Sequence, residues 1–116
     1  MLKNQTFGQA VDALHQGKMV SREGWNGKDL FVFRQVPSEV PEQIIPKMTS
    51  LPEAVKTKVV SRNLPLRYQN QLAIVYPDNN VHGWTPSPSD ALANDWCIHE
   101  PHVVAGETVG TAAPIS

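Results

Sequence analysis

The chain has 116 residues, a formal net charge of -1 and 41% hydrophobic residues, which suits one globular domain. The near-neutral charge argues against broad binding to DNA or RNA, because such binding needs a basic excess, but it does not exclude a small anionic ligand. Cys97 is the one cysteine, so no intrachain disulfide can form, and no run approaches the roughly 18 apolar residues of a membrane span. We therefore expect a cytosolic, soluble protein that carries no signal peptide.

Helix caps and turn residues predict short helices that alternate with strands. Thr6 and Gln9 fit a capping box, in which each side chain accepts a hydrogen bond from the other residue's backbone N–H. The dipeptide Asn26-Gly27 favours a type I′ hairpin turn, because both central residues of that turn need a positive φ. Ser87 is a natural N-cap, with Pro88 at the first helical position. In chain order the predicted elements are a helix over residues 7–16, strands over 19–22 and 30–34, a helix over 51–60, strands over 68–76 and 81–84, a helix over 88–93 and a strand over 95–99.

The segment between the first hairpin and the middle helix is expected to be irregular. Residues 37–46 hold three prolines and are predicted to form a loop or an extended segment. Ser50 and Glu53 fit a second capping box, which places the start of the middle helix at about residue 51.

The order of these elements indicates an α+β fold. We expect a small single domain in which the N-terminal helix packs on a mainly antiparallel sheet, with short additional helices. This domain would span residues 1–103. From residue 104 to residue 116 the composition shifts towards Gly, Thr, Ala and Pro, so we expect a flexible C-terminal tail there.

Few residues are arranged for catalysis or metal binding. Cys97 and His99 lie two apart on a predicted strand, so they share a face, and His102 extends them to Cys-x-His-x-x-His. This pattern lacks a clear fourth ligand, and ordinary strand residues explain it better than a metal site or a Cys-His catalytic pair. Asp90 and Asp95 show no sign of an acid-base pair. We therefore expect a protein that is not an enzyme and needs no metal or cofactor.

Large aromatic residues near the predicted turns and strands are the stronger signal. Aromatic faces stack on nucleobases, and each stacked base contributes roughly 1–3 kcal/mol. In a small protein, however, aromatics mostly build the core, which is how we interpret Phe33 and Trp96. Trp25 lies beside a turn, so ligand stacking and packing in the core or between subunits both remain open for it. The aromatics concerned are Trp25, Phe31, Phe33, Tyr68, Trp84 and Trp96.

Polar residues near these aromatics are candidate ligand contacts. Arg22 and Arg67 could pair with phosphates in a forked geometry, although a solvated strand or loop charge is the simpler interpretation. The pair Asn70-Gln71 could hydrogen-bond the edges of a base. The helix start at Ser87 has free backbone N–H groups, which suit a phosphate or ribose, and Asp90 would cap that helix or accept a hydrogen bond from the ligand.

Three stretches, taken together and in this order, resemble a known family. The first is Phe-Gly-Gln-Ala at residues 7–10, followed by Leu14 and Gly17-Lys18. The other two are Ser-Arg-Glu-Gly-Trp-Asn-Gly-Lys at residues 21–28 and Trp-Thr-Pro-Ser-Pro-Ser-Asp-Ala-Leu-Ala-Asn-Asp-Trp at residues 84–96. They resemble the second family of Thoeris anti-defence proteins, which are small phage-encoded nucleotide sponges. The resemblance covers about residues 5–99 and leaves out the tail.

The resemblance implies a function that composition does not show. Members of this family bind cyclic signalling nucleotides without cleaving them, usually the glycocyclic ADP-ribose (gcADPR) made by TIR-domain enzymes of Thoeris defence. Some members also hold cyclic di- or trinucleotides made by the synthases of CBASS. They assemble as homotetramers with ligand pockets between protomers, and tight sequestration keeps the downstream effector inactive. The resemblance thus predicts no nucleic acid polymer and no membrane as partners, and action in the cytoplasm of the infected bacterial host.

The resemblance also implies ligand-binding residues. Trp25 and Phe31 would stack on the ligand, Asn26 would form the turn beside it, and Arg22 would pair with a phosphate. The full predicted set is Arg22, Trp25, Asn26, Phe31, Asn70, Trp84, Ser87, Ser89 and Asp90. The alternatives are a nucleotide-processing enzyme and a direct protein inhibitor of a defence enzyme, and the preferred messenger is left open.

Overall fold

The computed structural model describes residues 1–25 and 28–100, which form two compact units. The first unit consists of residues 1–35 and 71–100, apart from 26–27, and the second of residues 36–70. Along these residues, no helix is long and apolar enough to cross a membrane. The elements are β1 (Leu2–Gln5), α1 (Phe7–His15), β2 (Met19–Arg22), β3 (Phe31–Gln35), β4 (Ser38–Val40), α2 (Glu53–Val60), β5 (Leu66–Tyr68), β6 (Gln71–Val75), β7 (Val81–Gly83), α3 (Pro88–Leu92) and β8 (Trp96–His99).

The first unit is built on a six-stranded antiparallel sheet with the strand order β1-β8-β2-β3-β6-β7. The strand nearest the end of the described chain, β8, therefore lies between the two strands nearest its beginning. In the register of β2 and β8, Met19 faces His99 and Arg22 faces Trp96. The predicted α+β fold with a mainly antiparallel sheet is confirmed.

The helix α1 packs on this sheet because its cap and its spacing are both favourable. Thr6 Oγ1 accepts a hydrogen bond from the Gln9 N–H at 3.2 Å, and Gln9 Oε1 accepts one from the Thr6 N–H at 2.8 Å, so the predicted capping box is confirmed. Gly17, with φ +84, ends the helix in a conformation that favours glycine. The buried residues of helix and sheet form one core, which contains Ala10, Ala13, Leu14, Val20, Val32, Ile74, Trp96 and Ile98.

The second unit is a small antiparallel strand pair with helical turns. Strand β4 pairs with β5, from Ser38 opposite Tyr68 to Val40 opposite Leu66. Ile45 opens a 3₁₀ turn and is fully buried. The core of the second unit consists of Val40, Ile45 and Met48.

The structure corrects four element predictions. Residues 37–46 were expected to be a loop or an extended segment; they are extended at β4, but β4 is a paired strand, and the 3₁₀ turn Ile45–Lys47 that follows was not predicted. The predicted strand over residues 68–76 is two strands, β5 and β6, and the strand β1 was not predicted. The middle helix begins at Glu53, with Pro52 rather than Ser50 at the N-cap position. The Asn26-Gly27 turn and the tail at residues 104–116 lie outside the described residues.

Candidate functional site

The turn that follows β2 is held by a residue far along the chain. Glu23–Trp25 form a single 3₁₀ turn, and Asp95, just before β8, binds its backbone at two points. The Glu23 N–H donates to the carbonyl of Asp95 at 3.0 Å, and the Gly24 N–H donates to its carboxylate at 2.8 Å. A Cβ on Gly24 would lie 3.0 Å from that carboxylate, so glycine permits the close approach. Asp95 therefore fixes the backbone that carries Trp25.

Arg22 lies between two carboxylates, Asp90 and Asp95, and we call these three residues the Arg22 cluster. Arg22 Nε donates to Asp95 Oδ1 and Arg22 Nη1 donates to Asp90 Oδ1, both at 2.9 Å. The hydrogen bond from Arg22 holds the pKa of Asp95 below its usual range, although burial opposes this. Two anions outnumber one cation in this cluster, so the guanidinium that was expected to face a phosphate is already neutralised. Contact of Arg22 with a ligand stays a prediction.

The start of α3 carries three of the predicted ligand contacts. Ser87 Oγ accepts a hydrogen bond from the Asp90 N–H at 3.1 Å, and Asp90 Oδ2 accepts one from the Ser87 N–H at 2.9 Å. Burial would raise the pKa of Asp90, but the hydrogen bonds from Ser87 and Arg22 outweigh it and lower that pKa. Ser89 is exposed. The predicted N-cap at Ser87 is confirmed, and ligand contact by these three residues stays a prediction.

Trp96 is the aromatic centre of the first unit. It is fully buried, which confirms the predicted core position, and its Nε1 donates to the carbonyl of Asp90 at 2.9 Å. Three other rings pack on it, with centroid distances of 5.5 Å for Phe7, 5.6 Å for Trp25 and 6.0 Å for Trp84. The two tryptophans are half-buried and meet Trp96 edge-on. One part of each of these two tryptophan rings therefore packs in the core, and another part is accessible to solvent.

A pocket of about 490 Å³ opens beside Trp25, and we call it the Trp25 pocket. Its volume lies within the range of roughly 300–1,000 Å³ that is typical of small-molecule sites. Two predicted ligand contacts, Arg22 and Trp25, line it. Residues that were not predicted as ligand contacts line it too, among them Ser21, Glu23, Lys28, Asp29, Cys97 and His99.

Ser21 and His99 form a hydrogen-bonded pair in this pocket. Ser21 Oγ and His99 Nε2 are 2.7 Å apart, and both side chains are half-buried. Burial lowers the pKa of His99, and the amino group of Met1 lowers it further, whereas Asp29 acts in the opposite direction. Burial therefore favours the neutral imidazole in the free protein, and one hydrogen bond joins the ring to the serine.

Most of the chain matches one protein family. Residues 5–99 match the family model of the Thoeris anti-defense 2-like domain. The chain belongs to this family. A protein of Bacillus phage SP01 named Thoeris anti-defense 2 is 33% identical over 98 residues, which are 84% of this chain and 98% of that protein. The resemblance to this family, which the sequence analysis placed at about residues 5–99, is therefore confirmed over those residues. Membership of the family gives the chain a phage anti-defence role.

In this Thoeris anti-defense 2-like chain, Cys97 is not activated as a nucleophile. Burial raises the pKa of its thiol, and its hydrogen bond to Glu23 Oε2 at 3.5 Å raises it further, whereas reactive thiols have a lowered pKa. His99 bonds to Ser21 instead. His102, the last residue of the Cys-x-His-x-x-His pattern, lies outside the described residues. Within residues 1–25 and 28–100, no group of three or more His, Cys, Asp or Glu residues could hold a metal ion.

The other predicted ligand contacts of this family member are more scattered. Phe31 and Phe33 are half-buried on β3, opposite Val75 and Ala73. The half-buried position of Phe33 differs from the core position that was expected. Asn70 is exposed and belongs to the second unit, and Asn26 lies outside the described residues.

Sequence reasoning missed the Ser21–His99 pair because the two residues are 78 positions apart. Part of the signal was present, since alternation on the last strand already placed Cys97 and His99 on one face. Alternation along one strand could not predict that β8 pairs with β2 and thereby brings His99 next to Ser21.

Proposed function

We propose that the chain binds and sequesters a cyclic immune signalling nucleotide without cleaving it. The primary ligand class is the glycocyclic ADP-ribose of Thoeris defence, and the cyclic di- and trinucleotides of CBASS are the second. Membership of a Thoeris anti-defence family supports the role. The observation that carries the proposal is the Trp25 pocket, which offers an aromatic surface beside hydrogen-bonding and charged groups.

The Trp25 pocket has the chemistry that such a ligand needs. Trp25 can stack on a base, because every nucleobase has a π-face. Lys28 can attract a phosphate, and Ser21 with His99 can hydrogen-bond it. Arg22, whose guanidinium is bonded to two carboxylates, supports this side of the pocket instead of supplying a free cation.

Sequestration requires only tight binding and slow release. A bound messenger is removed from the free pool, so the effector that depends on it stays inactive. We further propose the homotetramer that the resemblance implies, in which a neighbouring protomer would cover the open side of each pocket.

The test is a binding panel with glycocyclic ADP-ribose isomers and cyclic di- and trinucleotides. A specific ligand at 100 times its dissociation constant should stabilise the protein by roughly 2.7 kcal/mol, which a thermal-shift assay detects. The bound nucleotide is then released by heating and identified by mass spectrometry. We expect the intact molecule. A complex with a defence enzyme, together with no thermal shift for any nucleotide, would contradict the proposal and support a direct protein inhibitor.

One observation favours a second candidate, a nucleotide-processing enzyme. A serine within hydrogen-bond distance of a histidine is the arrangement by which a hydroxyl becomes a nucleophile, and Ser21 and His99 meet that distance in a pocket. Recovery of a cleaved nucleotide from the wild-type protein, but not from Ser21→Ala, would establish this candidate and overturn sequestration.

A further inference from the structure

The Ser21–His99 pair can change its charge and its hydrogen bonding, and it lies where a ligand in the Trp25 pocket would meet it. It joins β2 to β8, and both of its residues line the Trp25 pocket, so a ligand in that pocket would lie beside the pair. Within the described part of the pocket lining, His99 is the side chain whose ordinary pKa is nearest to neutral pH. Its charge can therefore change on binding.

The fixed charges around His99 nearly balance. From β2, Arg22 is neutralised by its two carboxylates, and from the 3₁₀ turn Glu23 lies 3.9 Å from Lys3 of β1. The list of the remaining charged or titratable neighbours is Lys28, Asp29, Cys97, the Met1 amino group, and the Lys18–Glu100 ion pair at 3.4 Å beside the end of β8. Because these charges offset one another, a proton on His99 would change the potential in the pocket substantially.

Protonation would also change how the pair hydrogen-bonds. In the neutral pair, one proton lies between Ser21 Oγ and His99 Nε2. When both ring nitrogens carry protons, Nε2 donates to the serine oxygen, so the hydroxyl proton is free to point into the pocket. The pair thus gains one donor and one positive charge together, which are the two features that bind a phosphate strongly.

We propose that Ser21 and His99 bind the phosphate group of the sequestered nucleotide, and that His99 becomes protonated when they do. This inference rests on the proposed function and adds that sequestration takes up a proton. A bound anion favours the imidazolium, whereas burial disfavours it in the free protein, so the pKa of His99 rises on binding. Affinity should therefore increase as the pH falls between the bound and the free pKa, by a factor approaching ten per pH unit.

The experiment is calorimetry of the full chain with glycocyclic ADP-ribose between about pH 6 and pH 9. Each titration is repeated in buffers of different ionisation enthalpy, so that the number of protons taken up is measured directly. We expect a net uptake of protons on binding, with its maximum between the free and the bound pKa of His99. The variant His99→Gln should bind more weakly, with no proton uptake and a flat pH profile. The matched control is His15→Gln, because His15 is exposed on α1 and does not line the pocket.

The outcomes separate this inference from the function on which it rests. If no nucleotide of the panel binds, the proposed function fails and the inference fails with it. If glycocyclic ADP-ribose binds without proton uptake, or if His99→Gln takes up as many protons as wild type, only the inference is overturned. Should His99→Gln fail to fold, NMR titration of the wild-type histidine rings decides, and an unchanged His99 pKa on ligand binding would contradict it.

Discussion

The carboxylate and carbonyl of Asp95 accept hydrogen bonds from three consecutive residues of the chain. Arg22 donates through its side chain, and Glu23 and Gly24 donate through their backbones. A charged acceptor with several donors remains ionised, which is why the pKa of Asp95 is lowered even though burial opposes ionisation. The 3₁₀ turn that carries Trp25 is thus positioned by hydrogen bonds to an ionised carboxylate, and their strength depends on pH.

Arg22→Gln should destabilise the protein by about 2 kcal/mol, because two carboxylates lose a charged hydrogen-bond donor. Urea unfolding measures the loss. The control is Arg67→Gln, which removes an exposed ion pair with Glu39 at 3.6 Å and should cost at most about 1 kcal/mol. Equal losses for the two variants would contradict the structural importance of the Arg22 cluster.

The Arg22 cluster also predicts how stability changes with pH. Asp90 and Asp95 have lowered pKa values when folded, so their contribution is complete above the ordinary carboxyl pKa of about 3.9. It is lost as the pH falls from there through the lowered folded values. Wild type should therefore lose stability more steeply than Arg22→Gln in urea unfolding below about pH 5. Parallel curves would show that other carboxylates dominate.

Trp25→Ala separates ligand stacking from core packing when it is compared with Phe7→Ala. Both rings pack on Trp96, at 5.6 and 5.5 Å, but Phe7 does not line the Trp25 pocket. Each variant should lose about 2 kcal/mol of stability, since both rings are half-buried. Only Trp25→Ala should lower nucleotide affinity, by about fivefold or more, because the loss of one base-stacking contact costs roughly 1–3 kcal/mol. Calorimetry on both variants checks this, and an equal loss of affinity would indicate that Trp25 acts only through the core.

At the scale of elements, α3 is a five-residue helix that depends on its cap. Ser87→Ala removes the acceptor for the Asp90 N–H and should cost about 1 kcal/mol of stability. Ser89→Ala, in the same helix, changes an exposed side chain and should stay within about 0.5 kcal/mol of wild type. Thermal unfolding compares the two. If Ser89→Ala lowers nucleotide affinity without lowering stability, Ser89 is a ligand contact, as the resemblance implies.

The elements that the sequence predicted well are those with local causes. Thr6 with Gln9 and Ser87 with Asp90 are close in sequence, so their caps could be predicted from spacing. Strand β4 escaped prediction because the prolines on either side of it, Pro37 and Pro41, are typical of a loop. What makes it a strand is pairing with β5, about thirty residues later.

The candidate site was predicted less completely for the same reason. Arg22 and Trp25 were found from their local sequence, but the partners of Arg22 lie 68 and 73 residues away. A forked donor next to an aromatic ring resembles a phosphate site until those carboxylates are known. His99 was noticed only beside Cys97, because its distance from Ser21 depends on strand order.

At the scale of the whole molecule, assembly is the property that most needs measurement. Light scattering after size exclusion should give a mass near four times 12.8 kDa if the homotetramer forms. Dilution of the protein to concentrations at which the tetramer dissociates should lower nucleotide affinity, because pockets between protomers would be lost. A monomer that still binds tightly would contradict shared pockets and leave the Trp25 pocket as a site within one chain.

The position of β8 between β1 and β2 has a consequence for synthesis on the ribosome. The sheet and its central Trp96 cannot be completed until residues up to His99 have been made, although α1 and the first strands emerge much earlier. Until then the apolar face of α1 has no complete sheet to cover it, and long-range pairing of this kind slows folding. A chain whose synthesis stops before Trp96 would therefore lack the centre of its core, and it would also lack His99 and with it the hydrogen bond to Ser21.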